Sequence, residues 1–270
     1  MTILFSDVRG FTTISEYYKD DPQGLTRLMN RFLTPLTNAI IERKGTIDKY
    51  IGDAIMAFWN APVDDDEQEA NACESALEML SRAEMLNGEL KHEAEANGGV
   101  YMPLRIGIGL NTGPCVVGNM GSDFRFNYSV LGDTVNLASR LEARTKDYRI
   151  PMVIGSRTAE GAKKKFAVME IDLIMVKGKK QPEAVFTVLG RSEVETDPRC
   201  RDLREVNAQM LARFRKQQWD DALEMMARCR KFANGFELSG LYDMYEERIG
   251  LYRAHPPGAD WQGVYEAESK

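Results

Sequence analysis

Apolar positions in this chain follow two alternating periods, and the switches between them lay out its elements. Ile3-Leu4-Phe5 is a short continuous apolar run, and it predicts a buried strand that ends at Asp7, Arg9 and Gly10. After Asp21-Pro22 the apolar residues are Leu25, Leu28, Met29, Phe32, Leu36, Ile40 and Ile41, spaced by three and four. That spacing predicts a core-facing helix with a polar cap and a proline in its first turn, stopped by Lys44-Gly45. TIDKYI and AIMAFW flank Gly52-Asp53 and predict a hairpin with a tight turn. Asp64-Asp65-Asp66 places negative charge at the positive end of a long helix over 67–96, which Asn97-Gly98-Gly99 stops. LRIGIGLN reads as a strand. The glycine-rich TGPCVVGNMGSDFRFNYSV reads as a hairpin or a flexible arm. Gly132-Asp133 opens a helix, TVNLASRLEAR. A strand (PMVIG), a helix over 156–166 and a closing hairpin follow, with VMEIDLIMV and AVFTVLG joined through KGKKQPE.

The alternation of strand and helix ends near residue 190. The polar segment 191–200 reads as a linker. Helical periodicity over 203–216, 219–234 and 238–253 predicts a small helical appendage spanning 201–255. FRKQQWDDALEMMARC within it resembles one tetratricopeptide-type helix pair, too few units for a solenoid. The tail 256–270 is proline-rich at its start and expected to be extended.

Composition narrows the chemistry. The chain has 270 residues, 43% hydrophobic and 28% charged, enough to bury a real core. Its net charge of −6 argues against nucleic acid or anionic membrane as a general partner. Apolar runs such as Ala54–Trp59 are far short of a bilayer span, and no secretory signal is visible, so a cytoplasmic location is expected. Cys73, Cys115, Cys200 and Cys229 are widely spaced and read as free thiols. With only His92 and His255, a zinc site or a histidine-based triad has little material. Any metal should therefore be hard and oxygen-ligated.

Asp7 at the end of the first strand and Asp53 in the hairpin turn supply such oxygens. If the first strand lies beside the hairpin, the two carboxylates converge at one edge, a donor set suited to Mg²⁺ or Mn²⁺ shared with substrate phosphates. Taken alone, either reads first as a turn-forming aspartate beside glycine, and only the combination with later residues favours a metal ligand. Asn136 and Arg140 are four residues apart on VNLASR, on one helix face and roughly 6 Å apart along its axis. Seen alone, Arg140 also fits an ordinary exposed helix face, and Lys49 a strand lysine facing solvent.

In combination the segments are specific. FSDVRGFT, DKYIGDAIMAFW, RIGIGLNTG, LGDTVNLASRLE and VKGKKQP occur in the order and spacing of the class III nucleotide cyclases, the adenylyl and guanylyl cyclase catalytic domains. The resemblance covers about residues 1–190. It implies an α+β fold, a ferredoxin-like βαββαβ-type antiparallel-rich sheet with helices packed on it. It implies cyclisation of a nucleoside triphosphate to a 3′,5′-cyclic monophosphate and pyrophosphate, with two Mg²⁺ or Mn²⁺ per site held by Asp7, Asp53 and the carbonyl of Val8. It places Asn136 near the ribose, Arg140 on the α-phosphate, and Lys177 on the terminal phosphates, with Lys179 and Lys180 as alternatives on the same loop. Lys49 and Ser129 would read the purine. Lys49 donates, which suits adenine N1 and favours ATP, whereas Ser129 departs from the family's usual aspartate or threonine and leaves guanylyl or mixed-substrate activity open.

The resemblance further implies a homodimer with shared sites: Lys49, Ser129, Asn136, Arg140 and Lys177 of one copy facing Asp7 and Asp53 of the other. Arg125 and Phe126 would serve that interface. Because the first catalytic strand lies almost at the start, an upstream sensor or membrane domain in a longer protein is expected. The rival of a different class is a catalytically silent cyclase-like domain that only dimerises or binds nucleotide. A diguanylate cyclase lacks support because the turn reads IGDA, and a polymerase lacks a basic footprint.

Overall fold

The computed structural model describes residues 1–122, 124–175, 182–258 and 260–264. The chain forms two compact units, Met1–Glu142 and Ala143–Lys270.

The first unit is built on four antiparallel strands in the order β2-β3-β1-β4: β1 (Thr2–Val8), β2 (Thr46–Ile51), β3 (Ala54–Trp59) and β4 (Ile106–Thr112). β1 is central, and its Ile3 and Leu4 are fully buried. A short helix absent from the sequence reading, α1 (Phe11–Tyr17), follows it after Gly10. α2 (Pro22–Ile41) starts where expected, with the Asp21 carboxylate accepting from the Gly24 amide at 2.8 Å. Leu28, Phe32, Leu36 and Ile40 form its buried stripe, whereas Ile41, the last residue of the helix, is exposed. α3 (Gln68–Asn97) ends on Gly98 in the left-handed conformation. The glycine-rich segment is a hairpin, β5 (Val116–Ser122) with β6 (Arg125–Leu131). Its base is anchored by Val130, packed with Ile3, Met56, Phe58 and Ala138.

α4 (Asp133–Tyr148) has its first part, through Glu142, in this unit. It lies against β4 at Gly109. A Cβ there would stand 2.2 Å from the Glu142 nitrogen and 2.4 Å from the Ala138 oxygen, so only glycine permits the approach. The Asn111 amide donates to the Thr134 carbonyl at 3.0 Å, and the Thr134 hydroxyl donates to the Pro114 carbonyl at 2.8 Å, pinning the start of the helix.

The second unit has three strands in the order β7-β9-β8: β7 (Met152–Gly155), β8 (Phe166–Ile174) and β9 (Glu183–Arg191). The helix expected over 156–166 is shorter, α5 (Ser156–Ala162), because the apolar residues from Phe166 onward pair as β8. In the segment read as a linker, Ser192–Thr196 form a single 3₁₀ turn, and α6 (Pro198–Arg215) begins at once, capped by Asp197. α7 (Trp219–Phe232) and α8 (Ser239–Ala254) match the predicted periodicity. α6 and α8 are joined to β8 by buried or partly buried polar bonds. Asn207 donates to the Glu170 carbonyl at 2.8 Å, Tyr245 to the Ile171 carbonyl at 2.6 Å, and Arg248 to the Asp172 carboxylate at 2.7 Å. Trp261 from the tail packs on Phe214, ring centroids 5.5 Å apart.

Candidate active site

Strand register explains why Asp7 and Asp53 meet. β1 and β3 pair antiparallel, with Ser6 opposite Ile55. Continuing that register by two residues sets Asp53 beside Val8, and the Val8 amide donates to the Asp53 carboxylate at 3.1 Å. The turn that permits this is Gly52-Asp53, with Gly52 at φ 65°, a conformation glycine adopts without cost. The two carboxyl groups lie within hydrogen-bonding reach of each other. Partial burial and then the Asp7 carboxyl beside it raise the Asp53 pKa above its ordinary value. A pair of oxygen ligands whose negative charges oppose each other is a donor set that a divalent cation fits. Among the described residues no cluster of three His, Cys, Asp or Glu side chains could hold a metal. A cation here would therefore draw further ligands from backbone, water and phosphate, as Mg²⁺ and Mn²⁺ do.

A second cluster forms around Lys49 and Ser129. β2 carries a bulge between Ile47 and Lys49, so the alternation of faces fails at Asp48. Both Asp48 and Lys49 consequently approach Ser129 on β6. The Ser129 hydroxyl donates to Asp48 Oδ2 at 2.7 Å, and the Val130 amide donates to the same oxygen at 3.2 Å. Lys49 Nζ lies 3.0 Å from Asp48 Oδ1 and donates to Ser129 Oγ at 3.3 Å. The Asp48 side chain is fully buried while that of Lys49 is 42% exposed. Reading the sequence with strict strand alternation misses Asp48, because only the bulge turns it inward.

Asn136 and Arg140 are both exposed on α4, one turn apart, while Leu137, Ala138 and Leu141 behind them are buried. The face assigned from spacing is therefore the outward one. Lys177, with Lys179 and Lys180, lies outside the described residues. All the other residues named for the site belong to the first unit. Arg125 and Phe126 are exposed at the outer part of the β5–β6 hairpin, where Phe126 is 64% exposed.

Comparison with known proteins agrees with the motifs. Residues 1–189 match the family model described as the adenylate and guanylate cyclase catalytic domain. Adenylate cyclase 1 of Rhizobium meliloti is 31% identical over 190 residues, covering 70% of this chain and 27% of that protein. The chain thus spans about a quarter of that relative's length. Among solved structures, the adenylyl cyclase CyaB of P. aeruginosa is similar at 32% identity and a TM-score of 0.60, covering 69% of this chain and 92% of that one. The guanylyl cyclase Cya2 is similar at 34% identity and 0.62, covering 71% and 92%. With its motifs, strand order and family match in agreement over residues 1–189, the chain belongs to the adenylate and guanylate cyclase catalytic domain family.

Proposed function

We propose that the protein converts ATP to 3′,5′-cyclic AMP and pyrophosphate, at sites completed between two copies of the chain. The observation that carries this reading is the meeting of Asp7 and Asp53 at the end of β1, in a chain that also retains Asn136 and Arg140.

In the reaction O3′ forms a bond to the α-phosphorus, the bond from the α-phosphorus to the bridging oxygen breaks so that pyrophosphate departs with its electron pair, and the 3′-hydroxyl proton passes to solvent water. Asp7 and Asp53, with the Val8 carbonyl, hold Mg²⁺ or Mn²⁺. The bound ions supply charge neutralisation for the triphosphate and a lowered pKa for the attacking hydroxyl. Arg140 offers a planar fork of N–H donors to the α-phosphate, where charge spreads over the phosphoryl oxygens as the bond changes. Asn136, one turn earlier on the same face, orients the ribose. Lys177 grips the terminal phosphates.

ATP is favoured because Lys49, in the role the family resemblance gives it, is a donor to purine N1. Adenine N1 accepts, whereas guanine N1 carries a proton. A guanylyl activity is the second reading, favoured by the comparable likeness to the guanylyl cyclase Cya2. Assembly of two copies is supported by the exposed apolar residues of the first unit: Val116 (69% exposed), Phe124 (100%) and Leu131 (60%) on the hairpin, with Ile51 (54%) on β2. Burying such residues against a second copy removes apolar surface from water.

The test is product analysis with ATP and GTP in separate reactions, each with Mg²⁺ and with Mn²⁺. Cyclic AMP formation that falls about a hundredfold or more in D53N is the expected result. A wild-type protein that binds nucleotide without cyclising either one would establish the silent-domain alternative instead.

A further inference from the structure

We propose that Asp48 sets nucleotide preference by fixing the Ser129 hydroxyl as a hydrogen-bond acceptor towards the purine, an inference that rests on the cyclase reading. A serine hydroxyl by itself is ambiguous. It has one proton to give and two lone pairs to receive with, and it rotates to suit either adenine or guanine. In this protein its surroundings remove the ambiguity. The Asp48 carboxylate only accepts, and its Oδ2 stands 2.7 Å from Ser129 Oγ. The other two groups around it, the Val130 amide and Lys49 Nζ, are donors without accepting capacity. The single arrangement that satisfies all four sends the serine proton to Asp48 and one serine lone pair to Lys49. The lone pair left over on Ser129 accepts.

The pair therefore presents an acceptor from Ser129 beside a donor from Lys49. The adenine edge offers the complement, an N6 amine that donates and an N1 that accepts. Guanine offers O6 and N1–H, the reverse at both positions, so a lone pair faces a lone pair and an ammonium faces an N–H. Asp48 touches no base in this arrangement. It is a positioning residue, buried by the β2 bulge beneath the pair that does the reading.

The experiment measures kcat/KM for ATP and for GTP in the wild type, D48A, D48N, S129A and the D48A/S129A double variant. Freed from Asp48, the hydroxyl turns to donate to guanine O6, so the ATP-to-GTP ratio falls about tenfold in D48A. D48N keeps an amide oxygen that accepts from both the Val130 amide and Ser129, so its ratio stays near that of the wild type. With Ser129 absent there is no hydroxyl to orient, so D48A/S129A has the same ratio as S129A. Equal losses on both nucleotides in D48A, or a double variant whose ratio falls by the product of the two single effects, would overturn the proposal. If the wild type cyclises neither nucleotide, the cyclase reading fails on its own. Equilibrium binding of ATP and GTP with Mn²⁺ to wild type and D48A then decides the role of Asp48, and an unchanged affinity ratio rejects it.

Discussion

Asp7 and Asp53 show how little sequence is needed to place two charges together, and how much depends on their staying together. Each is ordinary as a turn residue. Their proximity follows from one register and one two-residue turn. On the proposed role, R140A should lower kcat by about a hundredfold with a smaller change in KM for ATP, because the guanidinium acts on charge that develops in the transition state. Steady-state kinetics at saturating Mn²⁺ checks the split. Lys49 is proposed to read the purine from the family resemblance and its place four positions before Asp53. Asp48 was not legible in the sequence, since a strand read as alternating faces turns it away from Ser129, and only the bulge brings it under the pair.

The helix that carries Asn136 and Arg140 is positioned by a glycine on a neighbouring strand. Gly109 on β4 leaves no room for a methyl group against the backbone of α4 at Ala138 and Glu142. G109A should therefore push α4 outward, lowering stability by about 1–3 kcal/mol and lowering activity beyond what the remaining folded fraction accounts for. Denaturant unfolding and kinetics on the same preparation separate the two effects. In the second unit, Arg248 on α8 pairs with Asp172 on β8 in a buried ion pair, 8% and 1% exposed, and Tyr148 also donates to that carboxylate at 3.0 Å. R248M leaves the Asp172 charge short of its partner, so unfolding free energy should fall by about 3–5 kcal/mol, measured by urea titration. Most helix and strand types were readable from periodicity, but the short α1 was not, and the β5–β6 segment fits either a hairpin or a flexible arm by its sequence. The shortened α5 and the early start of α6 were not readable either, because in both places pairing or packing of the second unit claims residues that local signals leave undecided.

For the whole molecule, the proposed sharing of sites makes a quantitative forecast. Mixing equal amounts of D53A and R140A proteins, with subunit exchange shown, makes about half of the dimers mixed, each with one intact site of two. Activity should recover to about a quarter of wild type, although each variant alone is inactive. Absence of any recovery would mean that each chain builds its own site. No helix among the described residues is long and apolar enough to cross a membrane, which matches the short apolar runs of the sequence. The sequence by itself determined the family and most of the order of strands and helices, and it singled out the two aspartates, the asparagine and the arginine as candidates. It could do so because those properties reside in local periodicity and in motif spacing. Tertiary structure alone decided that Asp7 and Asp53 meet, that a bulge buries Asp48 beneath Lys49 and Ser129, and that the C-terminal helices bond to β8 within the second unit. Those outcomes depend on register, close approach and the burial of polar groups between residues far apart in the chain, which no local pattern records.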